Sequence, residues 1–298
     1  MRLSENLPGA EAAPEDDIGP LLCRGGDKTD PPLPRDARLP INRCNLPASI
    51  LGGLTYQRHP TPLALDGVAD LHRPLFELLD DGADVGERAE CFKTYMAHHF
   101  RLNAPEEAGL GAATGKSRAR ANYLKVVMGW AFDPDGREAA VLKGWVESRF
   151  GLLPRYHAGP LRDTAGPAYA RYEEMRCRGL YGTNALEAQL DLLYAFCQYE
   201  LQRRYPQRSH VRLYRGVNRL ADHEVLREEH GASTVLLNSV NSFSRSKDRA
   251  GEFGDYILGV DVPLPKLLFF SSLLPGMLKG EDEYVVIGGL YRVRLAPL

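Results

Sequence analysis

The spacing of apolar residues changes along the chain, from a helical period in the first two thirds to a strand period in the last third. Residues 70–100 and 119–150 carry apolar side chains three and four positions apart, for example Tyr123, Val126 and Trp130. This spacing places apolar side chains on one face of a helix. The first half of the chain is therefore predicted to be mainly helical.

A longer helix is predicted to begin at Asn184. Its side chain is a candidate N-cap because Glu187 follows three residues later, which is the spacing of a capping box. The apolar residues after it form one stripe down to Leu201, and the pattern ends near Tyr205-Pro206. The chain up to about residue 205 is thus predicted to form a helical lobe.

Beyond residue 206, apolar and polar residues alternate, and turn residues separate the alternating segments. The predicted strands are residues 211–217, 234–244, 256–262, 266–272 and 284–295. A helix-like segment, residues 246–253, follows the second strand. The whole pattern predicts an α+β fold in which a helical lobe precedes a β core.

The first 40 residues differ from the rest of the chain. They mix prolines, glycines and charges, including Pro31-Pro32-Leu33-Pro34, and have neither period, so a loosely ordered extension draped over the domain is predicted. No repeat or long linker divides the remainder. Residues 41–298 are predicted as a single domain, with the helical lobe at about 41–205 and the β core at about 206–298.

Composition narrows the function classes. The net charge of -2 in 298 residues gives no global field that would attract nucleic acid. No apolar run approaches the ~20 residues of a membrane helix, so a cytoplasmic protein without membrane insertion is predicted. The five cysteines are scattered, without a C-x-x-C pair, which favours reduced thiols and predicts no metal site.

Three short motifs carry candidate chemistry, and the first is Tyr214-Arg215-Gly216. Alternation places Arg215 on the face of the strand that carries Leu213 and Val217, which is expected to be buried. A buried guanidinium needs an anionic partner, such as a pyrophosphate or a carboxylate. Gly216 would let a ligand approach the backbone closely, although a glycine within a strand also marks bulges.

The second motif is Ser242-Phe243-Ser244, whose two hydroxyls share one face of the strand. Serines near a strand end are common, so this motif has little weight alone. Phe253, at the end of the following helix-like segment, could stack on a planar ring such as nicotinamide, although aromatic residues at helix ends more often belong to the core.

The third motif is Glu281-Asp282-Glu283, which leads into the last strand. An extended backbone would place Glu281 and Glu283 on one side and Asp282 on the other. Two neighbouring carboxylates could divide the work, one binding a hydroxyl and the other accepting a proton. An acidic turn before a strand is also ordinary solvated surface, so the motif gains meaning only from its combination with the other two.

Taken together, the Arg-Gly, Ser-Phe-Ser and Glu-x-Glu motifs resemble the Arg-Ser-Glu class of mono-ADP-ribosyltransferases. The resemblance extends to the family of dinitrogenase reductase ADP-ribosyltransferases. The stretches that carry this wider resemblance are Asn42-Arg43-Cys44-Asn45-Leu46-Pro47, Gly52-Gly53-Leu54-Thr55, Gly115-Lys116-Ser117 and residues 214–290. This sequence departs from many members of the class at Phe243, the middle residue of the serine motif, where threonine is common. The difference is expected to affect local packing only.

The resemblance implies a split β-sandwich cleft that takes NAD as co-substrate. It implies that Glu283 is the central catalytic group, that Arg215 braces the cleft, and that Ser242 orients Glu283. Ser244, Phe253 and the backbone of Gly216 complete the implied NAD site. Glu281 would orient and help deprotonate the acceptor, and a glutamate there favours arginine.

The implied acceptor is the nitrogenase iron protein, which the adduct would inactivate, and the implied regulator is a P-II type signalling protein. The loop of residues 271–280, with Pro275 and Gly276, is the predicted place for recognising the protein substrate. Two alternatives remain open: an NAD glycohydrolase, in which water replaces the acceptor, and a non-catalytic NAD-binding module.

Overall fold

The computed structural model describes residues 30–82, 84–109, 120–218, 223–229, 231–276 and 282–297. Its helices are α1 (Ala48–Leu51), α2 (Leu54–Arg58), α3 (Val68–Leu71), α4 (Arg73–Asp80), α5 (Val85–His99), α6 (Tyr123–Phe132), α7 (Arg137–Phe150), α8 (Pro167–Leu180), α9 (Leu186–Arg204) and α10 (Lys247–Gly251). Its strands are β1 (His210–Val217), β2 (Glu224–Glu229), β3 (Ala232–Ser244), β4 (Tyr256–Pro263), β5 (Leu267–Phe270) and β6 (Glu283–Pro297). The predicted α+β class is confirmed, with helices first and strands after them.

The long helix α9 joins the helical lobe to the β core. Phe196 stacks on Phe92 of α5 with ring centroids 4.1 Å apart. The contacts of α9 with the β core include two hydrogen bonds. The hydroxyl of Tyr194 donates to the carbonyl of Pro265 at 2.8 Å, and Gln198 Nε2 donates to the carbonyl of Leu267 at 2.8 Å. These bonds satisfy buried carbonyls just before and at the start of β5.

The predicted N-cap at Asn184 is wrong. Helix α9 begins at Leu186, after Ala185 in the left-handed conformation, and no side chain caps it. The side-chain amide of Asn184 instead donates to the carbonyl of Phe100, just past the end of α5. The backbone carbonyl of Asn184 accepts from Gln189 Nε2 at 2.6 Å. The side chain of Asn184, which the local pattern predicted to cap α9, therefore makes a tertiary hydrogen bond instead.

The sequence pattern also missed α8 and β2. Only Tyr172 and Gly179 are buried in α8, so its apolar stripe is too thin to reveal a helix. Strand β2 has a charged sequence and lies at the edge of the sheet, where, among the described strands, it pairs with β3 alone. Charged residues are typical of edge strands, which must avoid pairing with other chains.

The six strands form one antiparallel sheet in the order β2-β3-β1-β4-β6-β5, with a further pairing between β3 and β6. The pairings therefore close a ring through β3, β6, β4 and β1. The shortest pairing in the ring is that between β1 and β3, which consists of the single residue pair Tyr214↔Ser244. We call this contact the β1–β3 seam.

Residues 30–40, which the sequence assigns to a loosely ordered extension, are packed against the domain. Leu33 and Ala37 are buried, and the guanidinium of Arg155 donates to the carbonyl of Asp36 at 2.7 Å. The rest of that predicted extension lies outside the described residues.

Helices α1 and α2 fill an irregular part of β6. The carbonyl of Gly52 accepts from the backbone N–H of Leu290 at 2.7 Å. Beside it, Gly289 has a φ of 105°, and a Cβ there would lie 2.8 Å from Gly52 Cα. Gln57 accepts from the N–H of Arg292 at 2.8 Å and donates to a carbonyl of β4. The segment around Gly52-Gly53-Leu54-Thr55, which carried part of the wider resemblance, thus supplies hydrogen-bond acceptors to β6.

Lys266 is a fully buried cation whose Nζ donates to the carbonyl of Gly288 at 2.8 Å and lies 4.5 Å from the ring centroid of Tyr291. Burial lowers the pKa of Lys266 to about 7, whereas the unfolded chain keeps a value near 10.5. Between those values the unfolded state binds more protons, so this group makes the fold more stable as pH rises.

We expect Lys266→Met to remove this dependence. Between pH 7 and pH 9, the free energy of unfolding of the wild type should rise relative to the variant by on the order of 1–2 kcal/mol. Urea unfolding at both pH values measures it, with exposed Lys125→Met as the control. An unchanged difference between wild type and Lys266→Met would show that Lys266 keeps its ordinary pKa.

Within the described ranges, every helix is too short or too polar to span a bilayer.

Candidate active site

Three strands meet at Ser244, which pairs with Tyr214 of β1 on one side and with Glu283 of β6 on the other. This register brings the three predicted side chains together. Ser242 Oγ donates to Glu283 Oε1 at 2.6 Å. Arg215 Nη1 donates to the carbonyl of Ser242 at 2.8 Å. A cation, a hydroxyl and a carboxylate thus lie beside the β1–β3 seam.

Glu283 is the first residue of β6 and is 8% exposed. Its short contact with Ser242 falls in the range of a hydrogen bond to an ionised carboxylate. Its backbone carbonyl accepts from the N–H of Ser271 at 2.9 Å. Glu283 is therefore held at two points. Its side chain is bonded to Ser242 of β3, and its backbone carbonyl is bonded to Ser271, just after β5.

Arg215 keeps one donor unused. Its Nε is buried and has no hydrogen-bond acceptor among the described residues. Burial lowers the pKa of the Arg215 guanidinium, and the carboxylate of Glu283 partly opposes that shift. Because arginine remains charged in proteins, the site contains a desolvated cation with a free N–H. An anionic ligand such as a dinucleotide pyrophosphate fits this need.

Trp130 of α6 is a site residue that the sequence analysis did not identify. Its indole Nε1 donates to Ser242 Oγ at 2.9 Å. The sequence places Trp130 on the apolar stripe of a helix, where an aromatic residue indicates core, and no local signal distinguishes the two roles. Its partner is 112 positions away in the sequence.

Behind Trp130 lies a second buried cation, Lys143 of α7. Its Nζ is 5.8 Å from the centroid of the Trp130 ring and donates to the carbonyls of Pro134 and Tyr156 at 2.7 Å and 2.9 Å. Burial lowers the pKa of Lys143 to about 8. Burial and the neighbouring Lys143 cation lower the pKa of His157 to about 4, so this histidine is neutral near pH 7.

Gly216 lies next to Arg215 and packs against α10. A Cβ at this position would lie 2.0 Å from the carbonyl oxygen of Ala250, so the close approach that needs glycine is to protein backbone. Phe253, just past α10, is 74% exposed. Ser244 Oγ accepts from the N–H of Ser246 at 3.0 Å, which begins the turn into α10.

The loop between β5 and β6 is closed at its base by the Ser271–Glu283 backbone bond. Leu273 and Leu274 are fully buried and anchor its first part. Glu281 lies outside the described residues, as does the neighbouring end of the predicted recognition loop. The described part of the loop starts at Ser271, whose N–H is bonded to the backbone carbonyl of Glu283.

An arginine, a serine and a glutamate held together by neighbouring strands are the set expected of a mono-ADP-ribosyltransferase of the Arg-Ser-Glu class. The family model described as dinitrogenase reductase ADP-ribosyltransferase matches residues 41–295. The chain is also 38% identical over 263 residues to the NAD(+)--dinitrogen-reductase ADP-D-ribosyltransferase of Rhodospirillum rubrum, covering 86% of this chain and 95% of that protein.

The chain therefore belongs to the dinitrogenase reductase ADP-ribosyltransferase family, and the resemblance found in the sequence is confirmed. It is an enzyme of the transferase class. No solved structure is significantly similar to it.

Proposed function

We propose that this protein transfers ADP-ribose from NAD to an arginine side chain of the nitrogenase iron protein and thereby inactivates it. Family membership supports the reaction, since the Rhodospirillum rubrum relative is named for NAD and dinitrogen reductase. The observation that carries the proposal is the hydrogen-bonded series Arg215–Ser242–Glu283 beside the β1–β3 seam.

In the proposed reaction, Glu283 acts on the nicotinamide ribose. Its carboxylate accepts a hydrogen bond from the 2'-hydroxyl and stabilises the positive charge that develops at the anomeric carbon. The bond from that carbon to the nicotinamide nitrogen breaks, and neutral nicotinamide leaves with the electron pair. A fixed carboxylate in a partly dry site stabilises this charge more strongly than water does.

The NAD site is proposed to lie at the β1–β3 seam, as the cleft of an ADP-ribosyltransferase-like split β-sandwich. The buried Nε–H of Arg215, which has no acceptor among the described residues, is proposed to bind a phosphate or ribose oxygen. Ser244 pairs with Tyr214 at this seam, and Gly216 follows Tyr214 by two residues in β1. Phe253 is exposed beside Gly216 and available to stack on the nicotinamide ring.

Glu281 is proposed to prepare the acceptor. The guanidinium of free arginine has a pKa above ~12, so a carboxylate must orient it and accept a proton as the new bond to the anomeric carbon forms. Glu281 precedes Glu283 by two residues, at the end of the loop whose base is bonded to Glu283. The same loop is the proposed contact for the iron protein.

We expect Glu281→Gln to separate transfer from NAD cleavage. Labelling of purified iron protein by labelled NAD should fall about 100-fold, the lower end of the range for loss of a general base, while slow release of nicotinamide persists. Asp282→Asn, one residue away, is the matched control and should label normally. Equal labelling by Glu281→Gln and wild type would remove Glu281 from the acceptor site.

The same assay distinguishes the two alternative functions. An NAD glycohydrolase would release nicotinamide at the same rate with and without the iron protein and leave no label on it. A non-catalytic NAD-binding module would do neither. The proposal predicts a labelled iron protein and nicotinamide release that depends on its presence.

The proposal includes regulation by a P-II type signalling protein, as the resemblance implies. Its test is the rate of iron-protein labelling with and without purified P-II protein. A rate that is the same in every nucleotide-bound form of P-II would exclude direct regulation.

A further inference from the structure

Ser242 has one hydroxyl proton, and its neighbours determine where that proton points. Indole nitrogen is only a donor, so the bond from Trp130 Nε1 must use a lone pair of Ser242 Oγ. An ionised carboxylate is only an acceptor, so the bond to Glu283 Oε1 must use the serine proton. The two contacts are compatible in one direction only, from Trp130 to Ser242 to Glu283.

Trp130 comes from the helical lobe, whereas Ser242 and Glu283 come from the β core. The indole is 3% exposed, so it does not present a surface to substrates. Trp130 lines a small cavity together with apolar residues that include Val127, Leu142 and Val285. Helix α6 thus brings a buried donor to the serine, and a hydrogen bond shielded from water on one side orients its partner more strongly than an exposed one.

The buried cation of Lys143 lies over the same ring. A cation near the face of an indole is attracted to its π electrons. Lys143 of α7 therefore helps to hold the Trp130 ring in place.

We propose that Trp130 is a positioning residue for ADP-ribose transfer, because its N–H commits the Ser242 proton to Glu283 and so fixes the carboxylate under the reacting ribose. The proposal rests on the proposed role of Glu283. Without the indole N–H, Ser242 Oγ loses the donor that fixes the direction of its own O–H, and Glu283 is held less firmly. Catalytic groups need orientation within narrow limits, so turnover should fall while NAD binding is retained.

The chain offers a matched control because it contains two tryptophans, Trp130 and Trp145. Trp145 is also buried, and its Nε1 donates to Asp191 Oδ1 at 2.7 Å. Replacing either residue with phenylalanine removes a buried indole and one hydrogen bond. Only Trp130→Phe removes the bond to Ser242.

The test measures kcat and KM for NAD with purified iron protein as acceptor. For Trp130→Phe, we expect kcat to fall about tenfold, which corresponds to about 1.4 kcal/mol, with KM for NAD within twofold of the wild type. Trp145→Phe should keep the wild-type kcat. Thermal unfolding of both variants accounts for the loss of packing, which should lower both melting temperatures.

A double-mutant cycle separates positioning from packing. If Trp130 acts through Ser242, adding Trp130→Phe to Ser242→Ala should cause little further loss of kcat. Independent, multiplying losses would overturn the proposal, and so would equal kcat values for Trp130→Phe and Trp145→Phe. The Glu283→Gln variant is measured alongside. Full activity of Glu283→Gln would refute the proposed function, whereas an inactive Glu283→Gln with a fully active Trp130→Phe would refute only the positioning role of Trp130.

A second variant covers the case in which Trp130→Phe does not fold. In the Trp145→Phe background, Trp130 is the single remaining tryptophan, so growth of a tryptophan auxotroph on benzothienylalanine replaces that residue alone. This analogue has the shape of tryptophan with sulfur in place of the N–H. We expect the same roughly tenfold loss of kcat relative to Trp145→Phe, since the loss of one hydrogen bond is common to both variants. An unchanged kcat would overturn the proposal.

Discussion

Glu283→Gln should lower kcat for ADP-ribose transfer by about 100-fold or more, with the fold intact. The amide has nearly the same shape and can still accept from Ser242, but it lacks the charge that stabilises the developing cation on the ribose. Loss of one preorganised electrostatic contact costs about 10²–10³ in kcat in other enzymes. Labelling of the iron protein by labelled NAD, followed with time, measures the change.

Glu147→Gln is a suitable control for this experiment. Glu147 is also a buried glutamate, but it lies in α7 and interacts with Tyr172 and Arg176. Its substitution should leave kcat near the wild-type value. Full labelling by Glu283→Gln would mean that another group stabilises the ribose cation, and the proposed chemistry would then fail.

The largest expected effect on stability is that of Glu200→Gln. Glu200 of α9 is fully buried between two guanidinium groups: it accepts from Arg88 Nε at 2.6 Å and from Arg204 Nε at 2.9 Å. The amide removes the charge and leaves both arginines with reduced compensation, and Arg88 is itself buried. We expect the free energy of unfolding to fall by about 3 kcal/mol or more.

Urea unfolding measures this difference, with Glu174→Gln as its control. Glu174 contacts Arg178 at 2.7 Å in α8, but both side chains are exposed. An exposed pair of this kind contributes about 0.5 kcal/mol or less. Similar losses for the two variants would show that burial does not determine the strength of these ion pairs.

The strands that carry the site could be predicted from the sequence because alternation is a local property. Strand β1 is observed at His210–Val217 and β3 at Ala232–Ser244, within two residues of the predicted bounds. The buried residues of β1, Leu213 and Val217, share one face, whereas β3 has buried residues on both faces and is recognised by its apolar run and the turn residues at its ends. The meeting of Arg215, Ser242 and Glu283 followed only from their combined resemblance to a known class, since no local pattern specifies which strands pair.

Contacts between distant segments account for what the sequence did not reveal. Trp130 and Asn184 each have a side chain whose local interpretation is reasonable, as core and as N-cap. The partner that decides its role is Ser242 in the first case and the carbonyl of Phe100 in the second. Gly216 is similar, because the backbone that approaches it belongs to α10 and could not be inferred from β1 alone.

Strand β6 is the last of the six strands to be translated. Strand β6 both pairs with β3, β4 and β5 and carries Glu283, so it is the element that completes the ring and supplies the proposed catalytic carboxylate. A nascent chain on the ribosome in which β6 has not yet been translated has neither the closed strand ring nor Glu283. Such a chain cannot consume cellular NAD by the proposed reaction, however well its helical lobe has already folded.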